Sequence, residues 1–155
     1  RMGIIYGKQG QMEKEFTYYK KTDALDHTNA DAYFKVGRTY FKKGEWDYAL
    51  RYFLQSNRYK PGEHGTFYYL ARSYEKKQMY KEAVHYYVPV VVGQTYLSAE
   101  ACQGLWRISR ILGQREMVLD EVYKMHDNPL WEQVDQYLRT DQVPEFMRES
   151  DGEGR

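Results

Sequence analysis

The sequence predicts an all-α solenoid of stacked helical hairpins, and three observations lead there. First, the chain repeats itself at a spacing of 34 residues. Met2-Gly3-Ile4-Ile5-Tyr6-Gly7-Lys8-Gln9-Gly10 matches Val36-Gly37-Arg38-Thr39-Tyr40-Phe41-Lys42-Lys43-Gly44, which matches Leu70-Ala71-Arg72-Ser73-Tyr74-Glu75-Lys76-Lys77-Gln78. A fixed period of this length marks units that bury their apolar faces only by stacking on their neighbours. Second, apolar residues inside each copy recur at helical spacing and are punctuated by Gly or Pro. Third, aromatic residues make up 17% of the chain, with 17 Tyr, six Phe and three Trp. Tyr packs its ring between helices while its hydroxyl stays wet. That suits a thin two-layer array with few fully buried side chains, so most tyrosines are read as packing.

The unit from Ala30 to Pro61 serves as the type. Tyr33, Val36, Gly37 and Tyr40 lie on one face of a first helix, and Gly44 stops it. Trp46, Ala49, Leu50 and Phe53 mark a second helix, and Pro61 closes the unit. Two helices joined by so short a turn form a hairpin. Gly37 and Ala49 are small where large residues would be expected, which lets two helix backbones approach closely.

This pattern resembles the tetratricopeptide repeat family. The family motif runs large aromatic, Leu-Gly, Tyr, Ala, aromatic, small residue and Pro over one period. Here Tyr33, Val36-Gly37, Tyr40, Ala49, Phe53, Ser56 and Pro61 match it in order. The next unit supplies Phe67, Leu70-Ala71, Tyr74, Ala83 and Tyr87, then departs with Val90 and Thr95. The first unit, truncated at its start, supplies Met2-Gly3, Tyr6 and Tyr19, with Glu15 in place of Ala and His27 in place of Pro. The resemblance covers roughly residues 2–128. It implies a right-handed superhelical α-solenoid of about three and a half hairpins, with units near 1–29, 30–63, 64–97 and 98–128. Residues 129–149 are expected to form C-terminal capping helices, and 150–155 a disordered tail.

The later elements follow the same logic. Ser98 to Leu112 reads as a helix with Ala101, Leu105, Ile108 and Leu112 on one face, and Gly113 stops it. Val118, Leu119, Val122, Met125 and His126 form the next stripe. The register slips here, so Trp106 and Arg107 compete for the position that Arg72 holds in its unit. Asn128-Pro129 is a cap followed by a first helical residue, and Leu130, Val134, Tyr137 and Leu138 give the cap helix its apolar stripe. A further short turn begins at Pro144, with Phe146 as its anchor. Pro89 falls inside the second helix of its unit, where it costs a regular helix on the order of 3 kcal/mol. Either a kink or an early end before Val90 is expected. Glu15 is expected to reach water at the truncated first unit.

Composition limits the functions. Net charge is +1, from 23 basic and 22 acidic side chains, which gives no support to nucleic-acid binding driven by net charge. The single Cys102 rules out an internal disulfide and is read as packing. There is no apolar run long enough to cross a membrane. His27, His64, His85 and His126 lack metal-ligand spacing, and no phosphate loop, nucleophile elbow or acid–base pair appears. No cofactor or metal is expected, and enzyme activity is not.

In the resembled fold the first helix of each hairpin lines a concave groove. Arg38 and Arg72 are one period apart, so they should stack as a ladder there, extended by Arg107 one residue late. Phe34 and Tyr68 lie one turn before the arginines, and Lys42 and Lys76 one turn beyond. Guanidinium groups flanked by rings suit carboxylates and extended peptide. The expected partner is therefore a protein or peptide, with an acidic segment held by these seven residues. The competing reading of the cations is ordinary surface: Lys favours the helix C-terminus, and the arginines pair with acidic neighbours. A chaperone-tail clamp of the family is not expected, because Ile4 and Arg38 stand where its asparagines would be sought. The alternative function is a structural or self-associating segment of a longer solenoid. It would act through the N-terminal end, expected to be truncated, where Phe16 and Tyr19 would be exposed.

Overall fold

The computed structural model describes residues 29–113, 115–124, 130–140 and 144. Among these the regular structure is helical: α1 (Ala30–Lys42), α2 (Trp46–Tyr59), α3 (His64–Lys76), α4 (Tyr80–Val92), α5 (Ser98–Leu112), α6 (Arg115–Tyr123) and α7 (Leu130–Thr140). Each helix packs on the next. Alternate helices also meet: α1 with α3, α3 with α5, α4 with α6 and α5 with α7. That is the contact pattern of a helical-repeat solenoid. The first copy of the repeat, including Lys8, Glu15, Phe16, Tyr19 and His27, lies outside the described residues. So do Met125, His126, Asn128-Pro129, Phe146 and the charged tail.

Local chemistry explains the first hairpin. The Asn29 side chain accepts from the Ala32 N–H at 3.1 Å and caps α1. Ala32, Tyr33, Val36, Gly37 and Thr39 form its buried face. A Cβ on Gly37 would lie 2.7 Å from the Phe53 ring, and Phe53 is fully buried. The glycine is therefore what lets α2 come this close. At the far end of the hairpin the Ser56 hydroxyl donates to the Ala30 carbonyl at 2.9 Å.

The first helices of the two regular hairpins end alike. Gly44 and Gln78 both adopt the left-handed region, at φ 79° and 61°. The Glu45 N–H reaches the Tyr40 carbonyl at 3.0 Å, and the Met79 N–H reaches that of Tyr74 at 2.9 Å. Both are the six-to-one closure of a Schellman turn. Only one of them has the glycine that this backbone favours.

Pro89 does not end its helix early, contrary to one of the two outcomes expected from sequence. α4 continues to Val92. Pro89 lies in the last turn, where one bond back to His85 is lost. Its own carbonyl still accepts from the Gly93 N–H at 3.0 Å. Val90 and Val91 are fully buried, and their packing outweighs the missing bond.

Burial also resolves the register of α5. The buried positions of α1, moved 34 residues on, become Thr66, Phe67, Leu70, Ala71 and Ser73, all buried except the half-buried Phe67. Moved a further 35, they become Ala101, Cys102, Leu105, Trp106 and Ile108, all buried except the half-buried Trp106. A spacing of 34 would instead put exposed Glu100 and Arg107 on the buried face. The period lengthens by one residue, and Arg107 is the counterpart of Arg72.

The core has two parts. Ala49, Leu50, Phe53 and Leu70 form the smaller, between α2 and α3. The larger runs from Ala71 through α4 and α5 to Val118 and Leu119 of α6 and to Val134, Tyr137 and Leu138 of α7.

Candidate partner-binding face

The 34-residue period and the contact between α1 and α3 bring Phe34, Arg38 and Lys42 beside Tyr68, Arg72 and Lys76. Arg38 lies over the Phe34 ring at 5.5 Å. Arg72 lies over Phe41 at 4.9 Å and over Tyr68 at 5.8 Å, so it spans from α3 back to α1. Lys76 lies over Trp46 at 5.9 Å, and Lys42 is exposed in the last turn of α1. Among the described residues, none of these four cations makes an ion pair or a side-chain hydrogen bond. Aromatic rings hold the arginines instead. A ring under a guanidinium contributes about 0.5–1 kcal/mol at an exposed site and leaves the N–H edge open.

Arg107 is placed differently. Its Nε and terminal nitrogen donate to the two Glu75 carboxylate oxygens at 2.9 and 3.0 Å. Tyr87, fully buried, donates its hydroxyl to the same carboxylate at 2.6 Å. Glu75 stands one period after Phe41, so Arg107 meets a carboxylate where Arg72 meets a ring. Burial alone would raise the Glu75 pKa. The Arg107 fork, the Tyr87 hydroxyl and the Arg72 charge outweigh burial and hold it below its ordinary value. Burial, reinforced by Glu75, pushes the Tyr87 hydroxyl up. The third arginine of the row is thus committed inside the protein.

The two rings of the face also belong to the packing. Phe34 tilts against Phe53 and meets Tyr69 edge-on, both at 5.6 Å. Tyr68 meets Tyr69 at 5.6 Å and Tyr87 at 6.3 Å. Sequence did not single out Phe41, Trp46, Glu75 or Tyr87 as neighbours of the row. The signal for Phe41 and Glu75 was present, since they occupy one repeat position on the arginine-bearing helix.

A family model described as tetratricopeptide repeat matches residues 31–59, the first described hairpin. The period, the turn geometry and the buried positions carry the same hairpin forward through α3 and α4. The match makes the first described hairpin a tetratricopeptide repeat. No curated protein matches the chain. Such a repeat suggests a protein–protein interaction module.

Within the tetratricopeptide frame, the remaining chemistry is packing. Tyr40 stacks on Tyr48 at 5.0 Å and on Tyr52 at 5.5 Å, and Tyr33 on Tyr59 at 5.7 Å, which joins α1 to α2. Cys102 is fully buried, and burial pushes its thiol up to about 12. Among the described residues no three His, Cys, Asp or Glu converge as metal ligands, and no helix is long and apolar enough to cross a membrane.

Proposed function

We propose that this protein is an adaptor that holds an acidic segment of a partner protein on the face shared by α1 and α3. The supporting observation is the contrast within the arginine row. Arg107 is consumed by Glu75, whereas Arg38 and Arg72 rest on rings with their donor edges unpaired. Each guanidinium can donate bidentately to a carboxylate, and Lys42 and Lys76 add charge one turn on. The rings hold each guanidinium in place, so less side-chain entropy is lost on binding. Binding, not catalysis, is the role these groups suit.

Fluorescence anisotropy with a labelled Asp/Glu-rich peptide tests this reading. Arg38→Glu combined with Arg72→Glu should abolish binding and leave the helical circular-dichroism signal unchanged. Affinity of the wild type should fall as salt rises. Equal binding by the double variant would remove the groove reading.

A further inference from the structure

Beside the arginines lies an open cleft of about 410 Å³, between the N-terminal ends of α1 and α3 and the Thr95-Tyr96 loop. Its volume is in the range of sites that take a ligand group. Phe34 lines it and also carries Arg38, so cleft and cation share one ring. Gly65 forms part of its floor: a Cβ there would touch only Phe34, at 4.0 Å. Tyr96 stands over it, 81% exposed.

Some of the polar side chains at the cleft are already engaged, while Asp31, His64 and Thr66 also line it. The Ser56 hydroxyl donates to Ala30, the Thr95 hydroxyl accepts from the Leu97 N–H, and Lys60 pairs with Glu63 at 3.4 Å. Phe34, Gly65 and Tyr96 supply its ring and glycine surface. Asp31 and Glu63 also put negative charge at this end, whereas Arg38, Lys42, Arg72 and Lys76 put positive charge at the other. A carboxylate is repelled at the cleft and attracted one turn away.

We infer that the cleft takes an apolar side chain, Leu or Phe, of the same partner segment whose acidic residue sits on Arg38 and Arg72. The inference rests on the proposed groove reading and adds a second specificity element to it. Phe34 and Arg38 are one helical turn apart, roughly 6 Å. An extended peptide covers that in about two or three residues. The partner is therefore a segment with an apolar residue two or three positions from an acidic pair.

The test uses labelled synthetic peptides with a fixed Asp pair and Leu, Phe or Ala placed one to five positions away. They are measured against wild type, Gly65→Leu, Tyr96→Ala and the Arg38→Glu, Arg72→Glu variant. Gly65→Leu fills the cleft from a position with space around it, and Tyr96 is exposed, so both variants fold. Wild type should prefer Leu or Phe over Ala by about tenfold or more, at an offset of two or three residues. Gly65→Leu should erase that preference and still bind the Ala peptide as wild type does, and Tyr96→Ala should reduce it. Equal affinity for Leu and Ala peptides, with binding still lost in the arginine variant, would overturn the cleft and spare the groove. Binding that survives the arginine variant would overturn both.

Discussion

Glu75 is where the repeat changes its chemistry. One period earlier the same position is Phe41, and the arginine above it remains open; at Glu75 the arginine is bound. Because its folded pKa lies below its ordinary value of 4.5, its stabilising effect is complete above that value. It is lost as pH falls through the depressed folded pKa. The gap in urea midpoint between wild type and Glu75→Gln should therefore be widest near neutrality and close on acidification below about 4.5. A gap independent of pH would contradict the ion pair. Tyr87→Phe should cost about 1.5–3 kcal/mol in urea unfolding, since it removes a buried bond to a charged acceptor. Gln78 carries the opposite error, a side chain at φ 61° where Gly44 sits at φ 79° in the preceding unit. Gln78→Gly should raise stability by up to about 1 kcal/mol, measured by the same unfolding curve.

At the scale of elements, close approach governs the hairpins. Gly37→Ala would drive a Cβ into the buried Phe53 ring at 2.7 Å, so a loss of about 1–3 kcal/mol is expected in chemical denaturation. Pro89→Ala should stabilise α4 by about 1 kcal/mol or more, read as a higher thermal midpoint, because it restores a bond near the helix end. The Ser98–Leu112 helix, the turn at Gly44 and most of the α1 core face were legible in the sequence, because helical spacing and Gly punctuation are local signals. The register of α5 was not. Ala101 and Leu105 lie on the face at either spacing, which leaves Trp106 and Arg107 competing, and the burial of Cys102 and Ile108 against the exposure of Glu100 and Arg107 decides for the longer one. The fate of Arg107 was equally hidden. Its partner Glu75 comes from another helix, 32 residues away in sequence, and local pattern carries no information about such a pair. The outcome at Pro89 depended on how deeply Val90 and Val91 are buried, which is also a tertiary property.

Across the whole molecule, each hairpin leans on its neighbours, and the two core clusters meet around α3, where Leu70 belongs to one and Ala71 to the other. The binding face is built on α1 and α3 and so depends on that junction. The most direct measurement is a titration of the protein, labelled with nitrogen-15, with the Asp/Glu-rich peptide, following the arginine Nε–H resonances by NMR. Those of Arg38 and Arg72 should shift with increasing peptide, while that of Arg107, bound to Glu75, stays in place. Shifts confined to Arg51 and Arg58 of α2, with Arg38 and Arg72 unmoved, would place the interface elsewhere and contradict the proposed role of the α1–α3 face.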